Sequence, residues 1–544
     1  MSHRYHGRMV GVLIMLCVLA VFVVSCSNAG LSRSKQKNRT KAASAASVPL
    51  SWRAISPPSK VAGGFLASVS CVSQKFCVAV GSAPSAPSPG PPHEYMPRTP
   101  PRLPSYSYGA QWLSGVWRTA RDHPPKLLSY SNGVGSVNGP PSYPGSAVIE
   151  TFSGNSWHDA RIQGPVDNSA LSAVSCASKR FCVAVGFGPT GAVIATFRGK
   201  RWSTIQAASS KRANGGVVLN AVSCVSAKFC AAVGYGEADT SGDLPVSETF
   251  DGSSWRVVVG SHELSAGSLS STFEPHIRNW RYYVEGLNGV SCVSSKFCVA
   301  VGSAGVSARV VGGGSLPMVD VYNGKTWKAS LESIDFNFRR QPSGLWLRGG
   351  SGMGLVGISC SSAKSCVAVG SWDSPAACTC QVARLAGAPR PPVVSPVVET
   401  FNGRSWATAS TPHFNSVVLD DVSCEAWSFC VASAAPGMYT AWKWMKPGVL
   451  RTPVSAEIFN DNRWQVSTVP LAPPMTGIDY YGLSCVPDRG SVWCMAVGKA
   501  FELAQLGKGP RYVPGLDPRY YFPEPRLFHR EVAVEIATPA RAPS

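Results

Sequence analysis

The chain has 544 residues, among them 53 glycines and 43 prolines, and 44% of it is hydrophobic. That composition excludes a disordered chain and a single small core, and it suits a turn-rich β protein. Fifty Lys and Arg stand against 30 Asp and Glu, a formal charge of +20, which favours anionic partners.

Residues 1–26 read as an export signal. Arg4 and Arg8 precede an uncharged run, Met9 to Val24, short for a bilayer span of about 20 residues but right for the apolar part of a signal. The run ends in Val23-Val24-Ser25-Cys26, which resembles the lipobox of bacterial lipoproteins. The resemblance implies cleavage before Cys26, acylation of its thiol (palmitate among the acyl groups) and a cell-surface chain held to the membrane by lipid. The alternative is an uncleaved membrane anchor, and both readings place residues 27 onward outside the cytoplasm. Residues 27–50 are rich in Ser and Ala, with Arg33, Lys35, Lys37, Arg39 and Lys41 spaced among them. They read as a flexible basic tether close to anionic headgroups.

From residue 51 to about 540 the sequence repeats. SWRAISPP (51–58) reads as a strand carrying Trp52, and VSCVSQKFCVAVG (69–81) follows. The second text recurs at 174–186, 222–234, 290–302, 358–370, 422–434 and, three residues longer, 483–498. The cysteines of these copies fall into seven local pairs: Cys71/Cys77, Cys176/Cys182, Cys224/Cys230, Cys292/Cys298, Cys360/Cys366, Cys424/Cys430 and Cys485/Cys494. Cysteines so spaced face one another across a short hairpin, within disulfide reach, and an exported chain meets the oxidising conditions that such bonds need. Zinc is disfavoured because the pairs sit in separate repeats and no histidine tracks them. Cys378 and Cys380 stand outside the pattern.

A second element follows each copy, as in VIETFSGNSW (148–157), VSETFDGSSW (246–255) and VVETFNGRSW (397–406). A β-branched run, a Gly/Asn turn and Trp make strand, tight turn, strand. The last such element, VAVEIATPA (532–540), has no following Trp, and the missing Trp strand stands at the other end of the chain, at 51–58. The expected fold is therefore all-β, a seven-bladed β-propeller in which the N-terminal strand completes the last blade, a closure that also removes sheet edges. The repeat resembles the kelch repeat in its glycine-ended strand followed by a Tyr/Phe…Trp pair, and its turn-Trp half resembles the Asp-box. It departs from the kelch pattern where single glycines such as Gly81 and Gly234 replace Gly-Gly, and from the Asp-box because Asp251 and Gly252 are adjacent. The Cys pairs resemble those of cysteine-paired propeller repeats in exported bacterial proteins. This resemblance implies a fold and carries over no catalytic residue.

The recurring Trp52, Trp157, Trp202, Trp255, Trp327, Trp406 and Trp464 read as blade packing. The recurring acids Glu150, Glu248, Asp320, Glu399, Glu457 and Glu535 are expected to decorate a strand or satisfy a neighbouring turn. Long insertions fall between the second and third strands and between blades, at 82–146 (the largest), 235–246, 258–286, 303–317, 330–354, 371–396, 435–454 and 499–531. All lie on one face, which is the expected functional side. GVW at 115–117 echoes the Trp element, so the largest insertion holds a candidate degenerate eighth blade. Aromatic and charged residues in the insertions are candidate binding groups: Trp280, Arg281, Tyr282, Trp346, Arg348, Trp372, Asp373, Trp442 and Trp444.

No G-x-S-x-G, H-E-x-x-H, Walker or EF-hand pattern occurs, so neither metal nor cofactor is expected. The preferred reading is a surface-tethered binding or scaffolding propeller for an anionic wall polymer, a glycan or a protein; nucleic acid is disfavoured for an exported chain. The alternative is a carbohydrate-active hydrolase or lyase using a carboxylate pair drawn from Glu237, Asp239, Glu274, Asp373 and Asp517.

Overall fold

A computed structural model describes residues 51–55, 65–84, 145–164, 167–189, 191–206, 216–236, 244–259, 281–308, 312–331, 353–373, 394–410, 417–426, 429–436, 454–460, 463–469, 477–488, 491–503 and 527–537. The export signal, the tether, Cys378 and Cys380, and nearly all of the 82–146 insertion with its candidate eighth blade lie outside the described residues.

The described chain is all-β. β1 (Ser51–Ile55) is followed by β2 (Phe65–Ser73), β3 (Phe76–Pro84), β4 (Gly145–Phe152) and β5 (Trp157–Asp159), and β2 to β5 form one sheet. The two-residue β6 (Ile162–Gln163) runs parallel to the outer strand of the next sheet, made by β7 (Ala170–Ser178), β8 (Phe181–Gly188), β9 (Gly191–Arg198) and β10 (Trp202–Gln206). The third sheet is β11 (Val217–Ser226), β12 (Phe229–Gly236), β13 (Leu244–Phe250) and β14 (Trp255–Val259). The fourth is β15 (Arg281–Ser294), β16 (Phe297–Ala308), β17 (Gly312–Tyr322) and β18 (Trp327–Leu331). The fifth is β19 (Met353–Ser362), β20 (Ser365–Asp373), β21 (Val394–Phe401) and β22 (Trp406–Thr408). The sixth is β23 (Val417–Ala426), β24 (Phe429–Pro436), β25 (Val454–Asn460) and β26 (Arg463–Val469). β27 (Gly477–Asp488), β28 (Ser491–Leu503) and β29 (Leu527–Ala537) form the seventh, and β1 is its outer strand, with Ser51 opposite Ala537 and Ile55 opposite Ala533. The seven sheets stand in a propeller-like arrangement.

Both faces of each sheet are covered, so the strands read as continuous apolar runs and not as an in–out alternation. All eight residues of β8 are buried. Val78, Val80 and Ile149 of the first sheet pack against Leu171, Ala184 and Trp202 of the second. Val183, Val185 and Ile194 of the second pack against Leu219, Ala232 and Phe250 of the third. Leu66, Ala79 and Phe152 of the first sheet meet Trp493, Met495 and Val497 of the seventh.

The Ser-Cys dipeptide of each repeat joins neighbouring sheets. The Cys N–H donates to the Oγ of the Ser in the preceding sheet's dipeptide: Cys176 to Ser70, Cys224 to Ser175, Cys292 to Ser223, Cys360 to Ser291, Cys424 to Ser359 and Cys485 to Ser423, all at 2.9–3.0 Å. A seventh such bond runs from Cys71 to Ser484, at 2.9 Å. Each contributes about 1 kcal/mol net.

The cysteine side chains close the hairpins. The bonded pairs are Cys71–Cys77, Cys176–Cys182, Cys224–Cys230, Cys292–Cys298, Cys360–Cys366, Cys424–Cys430 and Cys485–Cys494. In each the two residues are directly opposed, with Cα atoms 3.9–4.0 Å apart, closer than the 4.5 Å or so of ordinary antiparallel neighbours. The two members of a pair differ in burial. The second cysteine is a core residue and belongs to no binding face. Cys77, Cys182, Cys230, Cys298, Cys366, Cys430 and Cys494 are all buried, at most 1% exposed. For the first six the physical reason is their packing against the neighbouring sheet. Cys182 packs with Val78 and Val80 of the preceding sheet, Cys298 with Ala231 and Val233, and Cys366 with Val299 and Val301. Cys77 meets Met495 and Val497 of the seventh sheet, and Cys430 meets Val367 and Val369 of the fifth. Seven disulfides indicate an oxidising, extracytoplasmic environment.

The glycine that ends each VAVG run is dictated by a bulge in the first strand. In the third sheet the register slips between Leu219 and Ala221, which turns the Val218 carbonyl toward β12. A Cβ on Gly234 would lie 1.9 Å from that oxygen. Gly81 meets the Phe65 carbonyl in the same way, at 1.9 Å.

The repeated tryptophans pack as expected. Trp202 is 2% exposed and Trp157 9%. Ring centroids of Phe152–Trp157, Phe250–Trp255, Tyr322–Trp327 and Phe401–Trp406 are 5.2–5.3 Å apart. The repeated acids correct the sequence reading. Glu150, Glu248, Asp320 and Glu399 decorate no surface; they are buried, at most 2% exposed. Each lies opposite an alanine of the second strand: Ala79, Ala232, Ala300 and Ala368. The small side chain leaves room for the carboxyl, and the adjacent sheet covers it.

Candidate functional site

Strand direction gives the molecule two unlike ends. The connections between first and second strands and between third and fourth strands share one end, and none exceeds four residues. Every longer connection lies at the other end.

At the long-connection end, the strands run further than the sequence boundaries suggest. Arg281 and Tyr282, expected in an insertion, begin β15 and pair with Ser307 and Val306. Trp372 and Asp373, also expected in an insertion, end β20, with Trp372 opposite Met353 and Ser395 and Asp373 opposite Val394. The structure thus brings these four to one end of two adjacent sheets, joined by a 3.1 Å bond from Asn288 Nδ2 to the Leu355 carbonyl. Trp280, Trp346, Arg348, Trp442 and Trp444 lie outside the described residues.

The short-turn end, which the sequence reading leaves plain, carries an array of cations. In five consecutive sheets the turn between first and second strands ends in one: Lys75, Arg180, Lys228, Lys296 and Lys364, all exposed. A serine two residues earlier holds each turn by accepting the cation's own N–H: Ser73, Ser178, Ser226, Ser294 and Ser362, at 3.1–3.3 Å. The neighbouring turns between third and fourth strands add exposed Lys200, Arg201, Lys325 and Arg404. Two of those turns are ordered by Asx bonds. Asn323 Oδ1 accepts the N–H groups of Lys325 and Thr326 at 2.9 and 3.0 Å, and Asn402 Oδ1 those of Arg404 and Ser405 at 2.9 and 3.0 Å.

One turn glycine shows how the two sets interlock. Gly403 has φ +91°, in the left-handed region open to glycine, and a Cβ there would stand 3.0 Å from the Lys364 side chain. The absence of a side chain lets the lysine stem lie over the turn. Lys364, Asn402, Gly403 and Arg404 line an open depression of about 470 Å³.

Among the described residues at this end, Asp251 and Asp488 are engaged locally. Asp251 accepts the backbone N–H of Ser253 and of Ser254 at 2.8 Å. The Ser254 and Ser253 N–H groups, with both hydroxyls, hold its carboxyl well below the usual range. Asp488 accepts Gln74 Nε2 at 2.8 Å. Burial pushes the half-buried Glu425 up to about 7. Deep in the sheets, burial also raises Glu248 and Asp320 to about 7. Among the described residues, no group of three or more His, Cys, Asp and Glu is placed to hold a metal ion.

No protein-family model matches the chain. No curated protein matches it either. Solved structures do. A structure described as YCF48 bound to D1 peptide is 10% identical with a TM-score of 0.41, over 92% of this chain and 100% of that one. YCF48 from Cyanidioschyzon merolae is 12% identical with a TM-score of 0.40, over 89% and 98%. An α-L-arabinanase of Penicillium chrysogenum, complexed with arabinobiose, is 8% identical with a TM-score of 0.35, over 68% and 93%. Likenesses at that level pass no activity or partner to this chain.

The cation array does have a sequence signal. A basic residue stands immediately before the Phe-Cys or Ser-Cys of five repeats, in QKFC, KRFC, AKFC, SKFC and AKSC. Assigning a short hairpin turn a structural role alone hides it.

Proposed function

We propose that the chain is a lipid-tethered, extracytoplasmic seven-bladed β-propeller that works as a binding or scaffolding module. Its partner, an anionic wall polymer, a glycan or a protein, is gripped at the long-connection end. One observation carries this reading: every long connection lies at that end, while the other is trimmed to turns of four residues or fewer. Binding groups usually reside on variable connections held by a rigid frame, and that frame here is stapled sheet by sheet. Closure into a ring is supported by the pairing of β1 with β29 and by the Cys71–Ser484 bond between the first sheet and the last. Anchoring at Cys26 rests on the lipobox resemblance.

The test is retention of residues 48–544 on immobilised wall polymers, glycans and extracellular proteins, with release of reducing ends followed in parallel. Retention without release is the expected result. Release of reducing ends replaces this reading with a hydrolase, and retention on none of the supports overturns it.

A further inference from the structure

We propose that the short-turn end is a membrane-facing surface, built to lie on anionic phospholipid headgroups. This rests on the extracytoplasmic, tethered reading above and adds which way the molecule faces.

The first observation is the cation array. Lys75, Arg180, Lys228, Lys296 and Lys364 recur at one structural position in five consecutive sheets, and Arg404 stands beside Lys364. The turns that carry them are short and hydrogen-bonded, so each charge is displayed on an ordered turn. Separated single cations, each on its own short turn, suit a lattice of negative charge. A linear polymer would be better served by a continuous basic groove.

The second observation is independent of charge. Ser51, the first residue of the seventh sheet's outer strand, pairs with Ala537, which pairs in turn with Trp493 of β28. Trp493 lies opposite Val486 in the hairpin that ends at the 489–490 turn. Ser51 therefore starts at the short-turn end. The polypeptide leading back to Cys26 is attached to the folded body on the same side as the cations. A lipid on Cys26 and an electrostatic footprint would then act on one face, with the opposite end of the strands away from the bilayer.

Each Lys or Arg near an anionic bilayer raises partitioning about 5-fold, and the effect shrinks as salt shortens the screening length from about 10 Å at 0.1 M to about 3 Å at 1 M. Residues 48–544 form a compact unit that contains every sheet, so they are tested without signal, tether or lipid. Sedimentation with vesicles of 30% phosphatidylglycerol in phosphatidylcholine is expected, with none on pure phosphatidylcholine and release at high salt. The variant K75E/K228E/K296E/K364E should lose about 100-fold or more in partitioning while keeping its urea midpoint. If that variant misfolds, K228Q/K296Q, with amide-exchange protection of the 227–228 and 295–296 turns on vesicles, reads the same face. Vesicle binding that ignores these substitutions would overturn the proposal. So would binding to soluble polyphosphate with none to vesicles, which would assign the face to a linear polyanion. Acylation at Cys26 is measured separately on the full chain, so a failed anchor and a failed footprint are told apart.

Discussion

Glu248→Gln should make the protein markedly less sensitive to rising pH. Glu248 lies in the middle of β13, opposite Ala232 on one side and Val257 on the other. It is 0% exposed, and neither carboxylate oxygen has a hydrogen-bond partner. Burial without compensation disfavours the charged form and raises the folded carboxyl from 4.5 to about 7. The folded state thus holds a proton that the unfolded chain has already released. Stability from this group is fully present below pH 4.5 and is lost as the pH rises through about 7. The gap of about 2.5 units corresponds to about 3 kcal/mol. A neutral amide of the same shape removes the gap. Against the unmodified protein, E248Q should be nearly neutral at pH 4.5 and about 3 kcal/mol more stable at pH 8. For a cooperative unit of this size, that is a rise in Tm of roughly 3 °C. Urea and thermal unfolding at several pH values, disulfides intact, measure it. Parallel stability–pH curves for the two proteins would show that Glu248 is not held protonated, and the account of its burial would fail.

Three further outcomes are expected. Asp320→Asn should flatten the same pH profile, since burial outweighs the Val321 backbone hydrogen bond and raises Asp320 to about 7; combining it with E248Q should reduce the loss of stability between pH 5 and 8 further in unfolding curves, leaving the share of Glu425, which burial also raises to about 7. Gly234→Ala should destabilise by about 3 kcal/mol in urea unfolding, because its Cβ would meet the Val218 carbonyl at 1.9 Å and the bulged strand must shift. Ser423→Ala should cost about 1–3 kcal/mol by leaving the Cys485 N–H without its acceptor, and amide exchange should quicken at Cys485 before it does in other sheets.

Much of the architecture is legible because it is written several times. Seven Cys pairs, the VAVG run and the displaced Trp strand give the number of sheets and the pairing of residues 51–55 with 533–537. The burial of the acids is not legible. An acid between two apolar residues in a strand normally marks the solvent face, but these sheets have no solvent face, and the room for Glu248 comes from Ala232 on the neighbouring strand. The unequal burial of paired cysteines is hidden too: Cys176 and Cys182 look equivalent in sequence, yet Cys182 is fully buried and Cys176 only partly. Insertion boundaries fail for a related reason. RYYVEG looks irregular in sequence, yet Arg281–Gly286 is strand because the equally long β16 offers it a partner out to Ser307. The Ser before each Cys has no role visible in sequence, since its partner is 49 to 413 residues away and no local rule joins them.

The two ends of the molecule then take their character from one constraint. The hairpin at the short-turn end is fixed by the disulfide, by the Ser-Cys bond to the next sheet and by a serine folded back onto the turn. Three ties within about ten residues leave little space for insertion: six of the Cys pairs are six residues apart and the seventh nine. This end diversifies mainly through the exposed side chain at the turn, and in five sheets that side chain is Lys or Arg. The opposite end has none of these ties: after Gly81 or Gly370 the strand is free to extend, turn or leave the sheet. A disulfide that fixes the register at one end of a hairpin transmits little restraint to the far end of strands nine residues long. Elaboration at one end and a repeated charge at the other are therefore two consequences of where the cysteines were placed. A variant with Cys224 and Cys230 both changed to serine should loosen the third sheet from the turn end first, at a cost of about 2 kcal/mol in loop-closure entropy. Faster amide exchange at residues 226–229 than at 217–219 would show this, and the reverse order would place the anchor of the sheet at the wrong end.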